Sequence, residues 1–408
     1  MKPAKHQYTI LKQICQYIPA HLVSKLARSF GIDKKARTFS PWSHIVAMLH
    51  VQIAHSLSLN DVADTLRNHS GVLTTIRGAT PPSRNGLSHA NRVRDPNMAQ
   101  ALFWDVLSHI QNRHPDFGIG HKYSGLPRRF RRTVYAVDST TIQLVANCID
   151  WAKHRRRKAA AKCHMQLNLQ TFLPEFALVK EASTHDSTEA YRLCLNLKSG
   201  EIAVFDKAYV DFTHLADLGR RGVFWVTRSK DNMKYRIVKE HTKPKGDVLC
   251  DVLIELETPK SYKAYPQRMR LVTAYVKVDG VKKLMTFITN NMTWAPSSIC
   301  DLYKCRWGVE VFFKQIKQTL QLGDFLGHSR NAILWQVWMA LLTYVLVRYI
   351  GFLGQWKGSF SRLFTLLRGV LFSRLDAFSV MSFCGTARGS PRMVGRPQQA
   401  YLPGFERL

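Results

Sequence analysis

The order of apolar runs between Arg132 and Ser229 constrains this chain more than any other feature. "RTVYAVDST" (132–140) is β-branched and aromatic, as strands are. "HMQLNLQTFLPEFALVKEAST" (164–184) alternates with period two around a turn near Leu173–Pro174–Glu175, which predicts a hairpin. "DSTEAYRLCLNL" reads as a helix, "EIAVFDKAYV" as a short strand ending at Asp206, "FTHLADLGRRG" as a helix with a glycine stop, and "VFWVTRS" as a strand. Strand, hairpin, helix, strand, helix, strand describes an α/β sheet with helices packed on it.

The flanks read differently. Residues 1–118 carry apolar positions at helical spacing, as in "PWSHIVAMLHVQIAHSLSLNDVADTLRNH", where Leu57 to Asp61 supplies polar helix-start residues. A break, "SGVLTTIRGATPPSRNG", precedes a further helix, "LSHANRVRDPNMAQALFWDVLSHI". This helix, turn and helix near "SRNGLSHANRVR" fits a helix-turn-helix DNA reader, and fits a generic all-helical domain as well. The Gly- and Pro-containing "HPDFGIGHKYSGLPRRFRR" links it to the α/β part. Residues 228–295 are β-rich and include a hairpin turning at Asp279–Gly280. Beyond residue 325 the chain is helical and apolar, and "GTARGSPRMVGRPQQAYLPGFERL" (385–408) is basic and extended. The expected organisation is a helical N-terminal DNA-binding domain (1–118), an α/β domain with a β-rich insertion (119–330), and a helical C-terminal region with a basic tail (331–408).

Charge narrows the partner. Lys and Arg number 59 against 28 Asp and Glu, a net of +31, so the chain attracts polyanions, nucleic acid first among them. A membrane-surface role is less favoured, because no basic amphipathic anchor or lipidation signal is present. The N-terminus lacks the uninterrupted apolar core of a signal peptide. The longest apolar run, "VWMALLTYVLV" (337–347), has 11 residues and rises about 16 Å as a helix, half a bilayer core. It reads as a buried core helix. The eight cysteines form no C-x-x-C pair and no zinc spacing, as expected for reduced structural thiols in the cytoplasm.

Asp138 and Asp206 each close an apolar run, where a central strand meets solvent and open α/β sheets carry their sites. Either alone is equally well read as a loop-start or helix-capping residue; two in one sheet are less easily read so. A third acid stands in "YKCRWGVEVFFKQIK" (303–317), where Glu310 is the only acidic residue. At about 100° per residue, Tyr303, Arg306, Glu310 and Lys317 fall on one stripe roughly 60° wide. Leu302, Val309, Phe312, Phe313, Ile316 and Leu320 form the adjoining apolar face, which places the stripe beside a sheet. A solvated charged face explains Arg306 and Lys317 but not Tyr303 among them. Three carboxylates at a sheet edge in a polyanion-binding protein suit two divalent ions about 3.5–4 Å apart, with Mg²⁺ preferred for its oxygen ligands and affinity for phosphate.

The stripe reads Y-x2-R-x3-E-x6-K without deviation, and with two strand-end Asp before it the chain resembles the DDE transposases of bacterial insertion sequences, specifically the fourth insertion-sequence family. The resemblance covers roughly residues 130–345. It implies a ribonuclease H-like domain, with one Asp on the first strand, one after the fourth, and the Glu on a later helix beyond a β-strand insertion. Here Asp138 and Asp206 lie 68 residues apart and Asp206 and Glu310 lie 104 apart, which leaves room for that insertion. The family more often has Arg-Gly after the second Asp, where this chain has Lys207–Ala208. The implied activity is cut-and-paste transposition: strand cleavage at the element ends, hairpin formation and reopening, and joining to target DNA. The implied roles are catalysis and metal binding by Asp138, Asp206 and Glu310, with two Mg²⁺ or substituting Mn²⁺, and phosphate contact by Tyr303, Arg306 and Lys317. The implied partners are double-stranded DNA, as terminal inverted repeats and target, and a second copy of the chain in a synaptic homodimer, at the nucleoid in the bacterial cytoplasm. Some members stack a displaced base on a Trp of the insertion, for which Trp225 and Trp294 are the nearby candidates.

Around Asp138, Lys and Arg outnumber acids eleven to two between Lys122 and Lys162. Arg155, Arg156, Arg157, Lys158 and Lys162 therefore read as phosphate contacts. His164 and His185–Asp186 read as turn or hairpin residues, and Trp335 and Trp338 as core. Two alternatives remain open: a ribonuclease H-like nuclease without strand transfer, and a non-catalytic DNA-binding protein derived from a transposase. The intact acidic triad argues against the second.

Overall fold

The computed structural model describes residues 2–32, 38–119, 130–144, 153–155, 158–181, 186–243, 245–278, 280–320 and 325–384. The expected extended tail at 385–408 lies outside these residues, as do Arg156, Arg157 and His185.

The protein is a mixed α/β structure built on one large sheet. Its strands are β1 (Val134–Leu144), β2 (Lys153–Arg155), β3 (Lys158–Asn168), β4 (Leu173–Glu181), β5 (Ile202–Phe205), β6 (Phe224–Arg228), β7 (Tyr235–Glu240), β8 (Val248–Leu256), β9 (Met269–Val278) and β10 (Val281–Thr289). Their order is β2-β3-β1-β5-β6-β10-β9-β8-β7, with β4 also on β3. β1 runs antiparallel to β3 and parallel to β5, and β5 runs parallel to β6. The β-rich stretch continues the sheet instead of standing apart: β10 pairs antiparallel with β6, Phe287 opposite Arg228.

Two local expectations are corrected. β1 does not end at Asp138 but runs six residues further, to Leu144, because β3 pairs with it all the way, Leu144 opposite Ala159. What ends beside Asp138 is the pairing with β5, whose last partners are Val137 and Phe205. The β3–β4 turn lies before Leu173–Pro174–Glu175, at Leu169–Phe172. There Asn168 Oδ1 accepts from the backbone N–H groups of Gln170 (3.0 Å) and Thr171 (3.2 Å), and Phe172 takes a left-handed φ of 57°. Pro174 instead sits in β4, beside a register shift. The β9–β10 hairpin turns between Val278 and Val281, as expected, with Gly280 at φ 82°; Asp279 lies outside the described residues.

Helices cover both sheet faces. On one lie α8 (Asp186–Leu193) and α9 (Phe212–Arg220), burying Leu193, Leu215 and Leu218 with Tyr135, Val137, Ala203 and Phe205. On the other lie α11 (Pro296–Cys305) and α12 (Trp307–Thr319), whose Leu302, Val309, Phe312, Phe313 and Ile316 are all buried. Burial of such side chains contributes roughly 1.5–3 kcal/mol each. α10 (Pro259–Ala264) is a short turn of helix between β8 and β9.

The N-terminal helices are α1 (Ile10–Cys15), α2 (Ala20–Ser29), α3 (Pro41–Ala54), α4 (Leu59–Asn68), α5 (Ser70–Thr74), α6 (Arg84–Val93) and α7 (Asn97–Arg113). Ser58 caps α4 by accepting from Asp61 N, as its sequence predicts, and Ser83 caps α6. At the other end are α13 (Arg330–Leu353), α14 (Phe360–Gly369) and α15 (Ala377–Cys384). α13 packs against α3, α6 and α7. It is long and apolar enough to cross a membrane, yet 94% of its most apolar window is buried inside the protein. Trp335 and Trp338 are core residues, and Trp335 Nε1 donates to Arg94 O at 3.0 Å. The first and last of the described helices are tied together: Gln13 of α1 donates to Leu375 O at 2.7 Å and accepts from Ala377 N of α15 at 3.0 Å. A single hydrophobic core runs from Ile10 through α13 to the α12 side of the sheet.

Candidate active site

Strand alternation decides where the first two acids point. Val134 and Ala136 face the α12 side, so Asp138, two residues on, does as well. Ile202 and Val204 face the same side, and Asp206 follows them directly beyond the end of β5. The parallel pairing of β1 with β5 sets these carboxylates side by side under α11 and α12. Asp206 has two tasks. Its Oδ1 caps the 3₁₀ turn Lys207–Tyr209 by accepting from Ala208 N (3.2 Å), and its Oδ2 accepts from the Tyr303 hydroxyl at 3.1 Å.

The stripe is carried by two helices, not one. At Arg306 the ladder tightens: Arg306 N bonds to Tyr303 O (3.1 Å) and Val309 N to Arg306 O (3.0 Å), three residues back in each case. Three of the four stripe residues nonetheless reach the sheet, and the fourth, Glu310, is tied to it through Arg306. Arg306 Nη1 donates to Asp138 Oδ2 in a very short contact, and its Nη2 donates to Glu310 Oε1 at 2.6 Å. Lys317 Nζ donates to Thr141 O at 2.6 Å, three residues beyond Asp138 on β1. Tyr303 is buried against Phe287. Asp138, Asp206 and Glu310 are thus joined through Tyr303 and Arg306. They do not form a bare metal cluster: among the described residues no group of three or more His, Cys, Asp or Glu is so arranged. The Arg306 guanidinium occupies the space between Asp138 and Glu310.

The electrostatics follow from that packing. Burial, strengthened by Glu310 and Asp206 and opposed by Arg306, pushes the Asp138 carboxyl up to about 6. Burial also raises Tyr303 to about 12, aided by Asp206 and opposed by Arg306, so it stays a neutral donor. Burial works against the charge on Arg306, but Asp138, Tyr303 and Glu310 outweigh it and hold the guanidinium charged. Lys317 is lowered, chiefly by burial. Arg306 and Asp138 are only 13% and 16% exposed, whereas Glu310 at 41% opens to solvent.

The other expected residues fare differently. Arg155 and Lys158 lie in β2 and β3, and half-buried Lys162 stands opposite Thr141. His164 is a hairpin residue, as read: it sits within β3 opposite Leu178 of β4, fully buried, with Nδ1 in hydrogen-bond contact with the Tyr209 hydroxyl at 3.2 Å. Asp186 begins α8. Trp225 is fully buried in β6 and offers no face to a base, and Trp294 is half-buried against Phe224. Two features carry no sequence signal. Lys207, beside Asp206, pairs with Asp231 at 2.7 Å. In the insertion, fully buried Arg270 forks onto fully buried Asp251 with two bonds of 2.7 Å, and its remaining nitrogen donates to Trp294 O at 2.6 Å, just before α11.

Acids set side by side where the pairing of β1 with β5 ends, a third on a covering helix, and a strongly basic chain are the arrangement of a DNA-processing enzyme. The family model for the transposase DDE domain matches residues 129–346, more than half of the chain, and the chain belongs to that family. A second model, a domain of unknown function (DUF4372), matches residues 6–76. Protein y4zB of Sinorhizobium fredii, named as a transposase, is 29% identical over 258 residues, 62% of this chain and 70% of that protein. A probable transposase for insertion sequence element IS5377 from Geobacillus stearothermophilus is 27% identical over 54% of this chain and 58% of its own length. Transposase InsG for element IS4 of Escherichia coli is 26% identical over 45% of this chain and 42% of its own length. The chain therefore spans between 42% and 70% of these relatives. It is a DDE transposase of an insertion sequence, from a family of divalent-metal enzymes.

Proposed function

We propose that the protein moves its element by a cut-and-paste route, with Asp138, Asp206 and Glu310 as the catalytic acids of a ribonuclease H-like domain. The strand order β4-β3-β1-β5-β6, with the first three antiparallel and the last two parallel to β1, supports that fold reading. The observation that carries the site is the linkage of all three carboxylates by the Tyr303–Arg306–Glu310 stripe, across 68 and 104 residues of sequence. The donor set suits a hard divalent cation: the three candidate ligands are all carboxylates, and two of them, Asp138 and Glu310, already face one positive charge, the Arg306 guanidinium. Two Mg²⁺ ions, or Mn²⁺ in their place, would activate the attacking hydroxyl and stabilise the leaving oxygen.

The chain's own residues hold the substrate. Arg306 and Lys317 take phosphates next to the scissile bond, Arg306 by a fork and Lys317 as a point charge. Tyr303 fixes the rotamer of Asp206. Water adds to phosphorus and the P–O3′ bond breaks, leaving a 3′-hydroxyl. That hydroxyl then attacks a phosphodiester of the opposite strand, giving a hairpin, and after reopening attacks target DNA by the same exchange of one P–O bond for another. Arg155, Arg156, Arg157, Lys158 and Lys162 extend phosphate contact along the duplex. The helical N-terminal region binds the terminal repeats, and α6, which exposes Arg84, Asn85, Ser88, His89 and Arg92 along one face, is its candidate reader. A homodimer synapses the two ends, at the nucleoid in the bacterial cytoplasm.

Glu310→Gln tests this reading. The substitution keeps shape and removes a ligand charge, so cleavage of element-end DNA should be abolished while gel-shift affinity stays near wild type. Loss of binding equal to the loss of cleavage would make Glu310 a support of the fold and would overturn the assignment.

A further inference from the structure

Arg306 answers to two claims. In the proposed reaction it holds a DNA phosphate. In the structure both its terminal nitrogens lie on carboxylates, Nη1 on Asp138 and Nη2 on Glu310 (2.6 Å). A divalent cation at the site needs those same oxygens, and a guanidinium among them repels it. Arg306 Nε is buried and has no hydrogen-bond partner among the described residues, so the side chain is not fully satisfied where it lies. It also stands at the junction of α11 and α12, where the hydrogen-bond ladder is already broken into three-residue steps. The side chain is therefore rooted at the point where this helix pair most easily re-aims it.

We propose that Arg306 gates the metal site: it occupies the carboxylates until a DNA phosphate takes its guanidinium, so metal and DNA bind cooperatively. Phosphate offers the fork an alternative bidentate partner and brings in the negative charge that the cation needs. Departure of the guanidinium bares Asp138 and Glu310 together, because one side chain covers both. Tyr303 does not compete in the same way, being a neutral donor to Asp206. By linkage, whatever factor DNA adds to metal affinity, metal must add to DNA affinity. The gate would keep a strongly basic nuclease from activating its metal away from DNA ends. This inference rests on the metal-site reading above.

Mn²⁺ binding to the full chain, followed by the EPR signal of the free ion, tests it without any catalytic turnover. Without DNA, Arg306→Gln should bind Mn²⁺ about tenfold or more tighter than wild type, within the 5–150-fold range of ordinary coupling. Lys207→Gln removes an equal charge beside Asp206 that pairs elsewhere, with Asp231, and should change affinity less than about threefold. A mixed-sequence duplex of about 20 base pairs, engaged through its phosphates at low salt, should tighten Mn²⁺ binding to wild type after subtraction of a DNA-only titration. It should add little to Arg306→Gln. The gate is overturned if Arg306→Gln, folded by circular dichroism, binds Mn²⁺ no tighter than wild type, if Lys207→Gln gains as much, or if duplex leaves wild type unchanged. That last arm needs no variant. Mn²⁺ binding insensitive to Glu310→Gln in every arm would instead overturn the metal site itself, and the gate with it.

Discussion

Replacing Asp251 with alanine should destabilise this protein more than replacing any acid of the candidate active site. Asp251 and Arg270 are both 0% exposed, and they share two bonds of 2.7 Å. The third contact, Arg270 Nη1 to Trp294 O at 2.6 Å, ties β9 to the loop that enters α11. The Thr242 hydroxyl also donates to Asp251. Removing the carboxylate strands a buried guanidinium with one carbonyl for company, at a cost of about 3–5 kcal/mol. At about 2 °C per kcal/mol for a chain of this size, thermal unfolding followed by circular dichroism should move down by roughly 6–10 °C. Because α11 carries Tyr303 and leads to Arg306, DNA cleavage at assay temperature should fall in step. A buried pair is costly to break but not intrinsically stabilising, so Asp251→Leu with Arg270→Met should recover most of the loss. A single variant that loses less than about 1 kcal/mol, or a double variant as unstable as the single one, would refute the reasoning.

Three further outcomes are expected. Lys317→Ala and Arg306→Ala should each reduce the log–log salt slope of DNA binding by about one unit, at roughly 0.9 per phosphate released, with the larger affinity loss for Arg306; filter binding at several salt concentrations reads this, and unchanged slopes would mean that the two side chains serve only their contacts within the protein. Arg84→Ala with Arg92→Ala on α6 should weaken binding to duplex without changing cleavage of pre-bound ends, whereas undiminished binding would exclude α6 as a reader. The Asp138 carboxyl lies at about 6 in the folded protein against 3.8 ordinarily, so the fold holds that proton more tightly than the unfolded chain does. The contribution of Asp138 to the stability of the metal-free protein should be full below the ordinary value and be lost as pH rises through about 6, on the order of 3 kcal/mol; in urea titrations the difference between wild type and Asp138→Asn should follow that slope.

What the sequence discloses here is local periodicity, and what it hides is long-range pairing. The Tyr303, Arg306, Glu310, Lys317 stripe is legible because side chains three and four residues apart share a helix face whatever the helix packs on. The apolar face beside it is buried as read. The order of strands and helices from β1 to β6 is legible for the same reason. The length of β1 is not, since "STTIQL" extends only because β3 offers it a partner. The turn at Leu169–Phe172 is hidden by Pro174, a stronger turn signal that the bulged β4 absorbs. Nothing in the spacing of β10 announces that it pairs with β6 and turns the insertion into an extension of the sheet. Asp251 and Arg270 lie 19 residues apart on neighbouring strands, and no motif links them. The break at Arg306 is equally silent, although it lets one side chain reach acids on both β1 and α12.

The central claim is that Asp138, Asp206 and Glu310 hold one metal site. Fe²⁺ bound in place of Mg²⁺, with ascorbate and peroxide, cuts the polypeptide next to the ion, and peptide mapping reads where. With element-end duplex present, cleavage should appear together at β1 near Asp138, at the end of β5 near Asp206 and on α12 near Glu310, and Mg²⁺ should suppress all three in parallel. Cuts at only one of these places, or at sites that Mg²⁺ does not protect, would contradict the account.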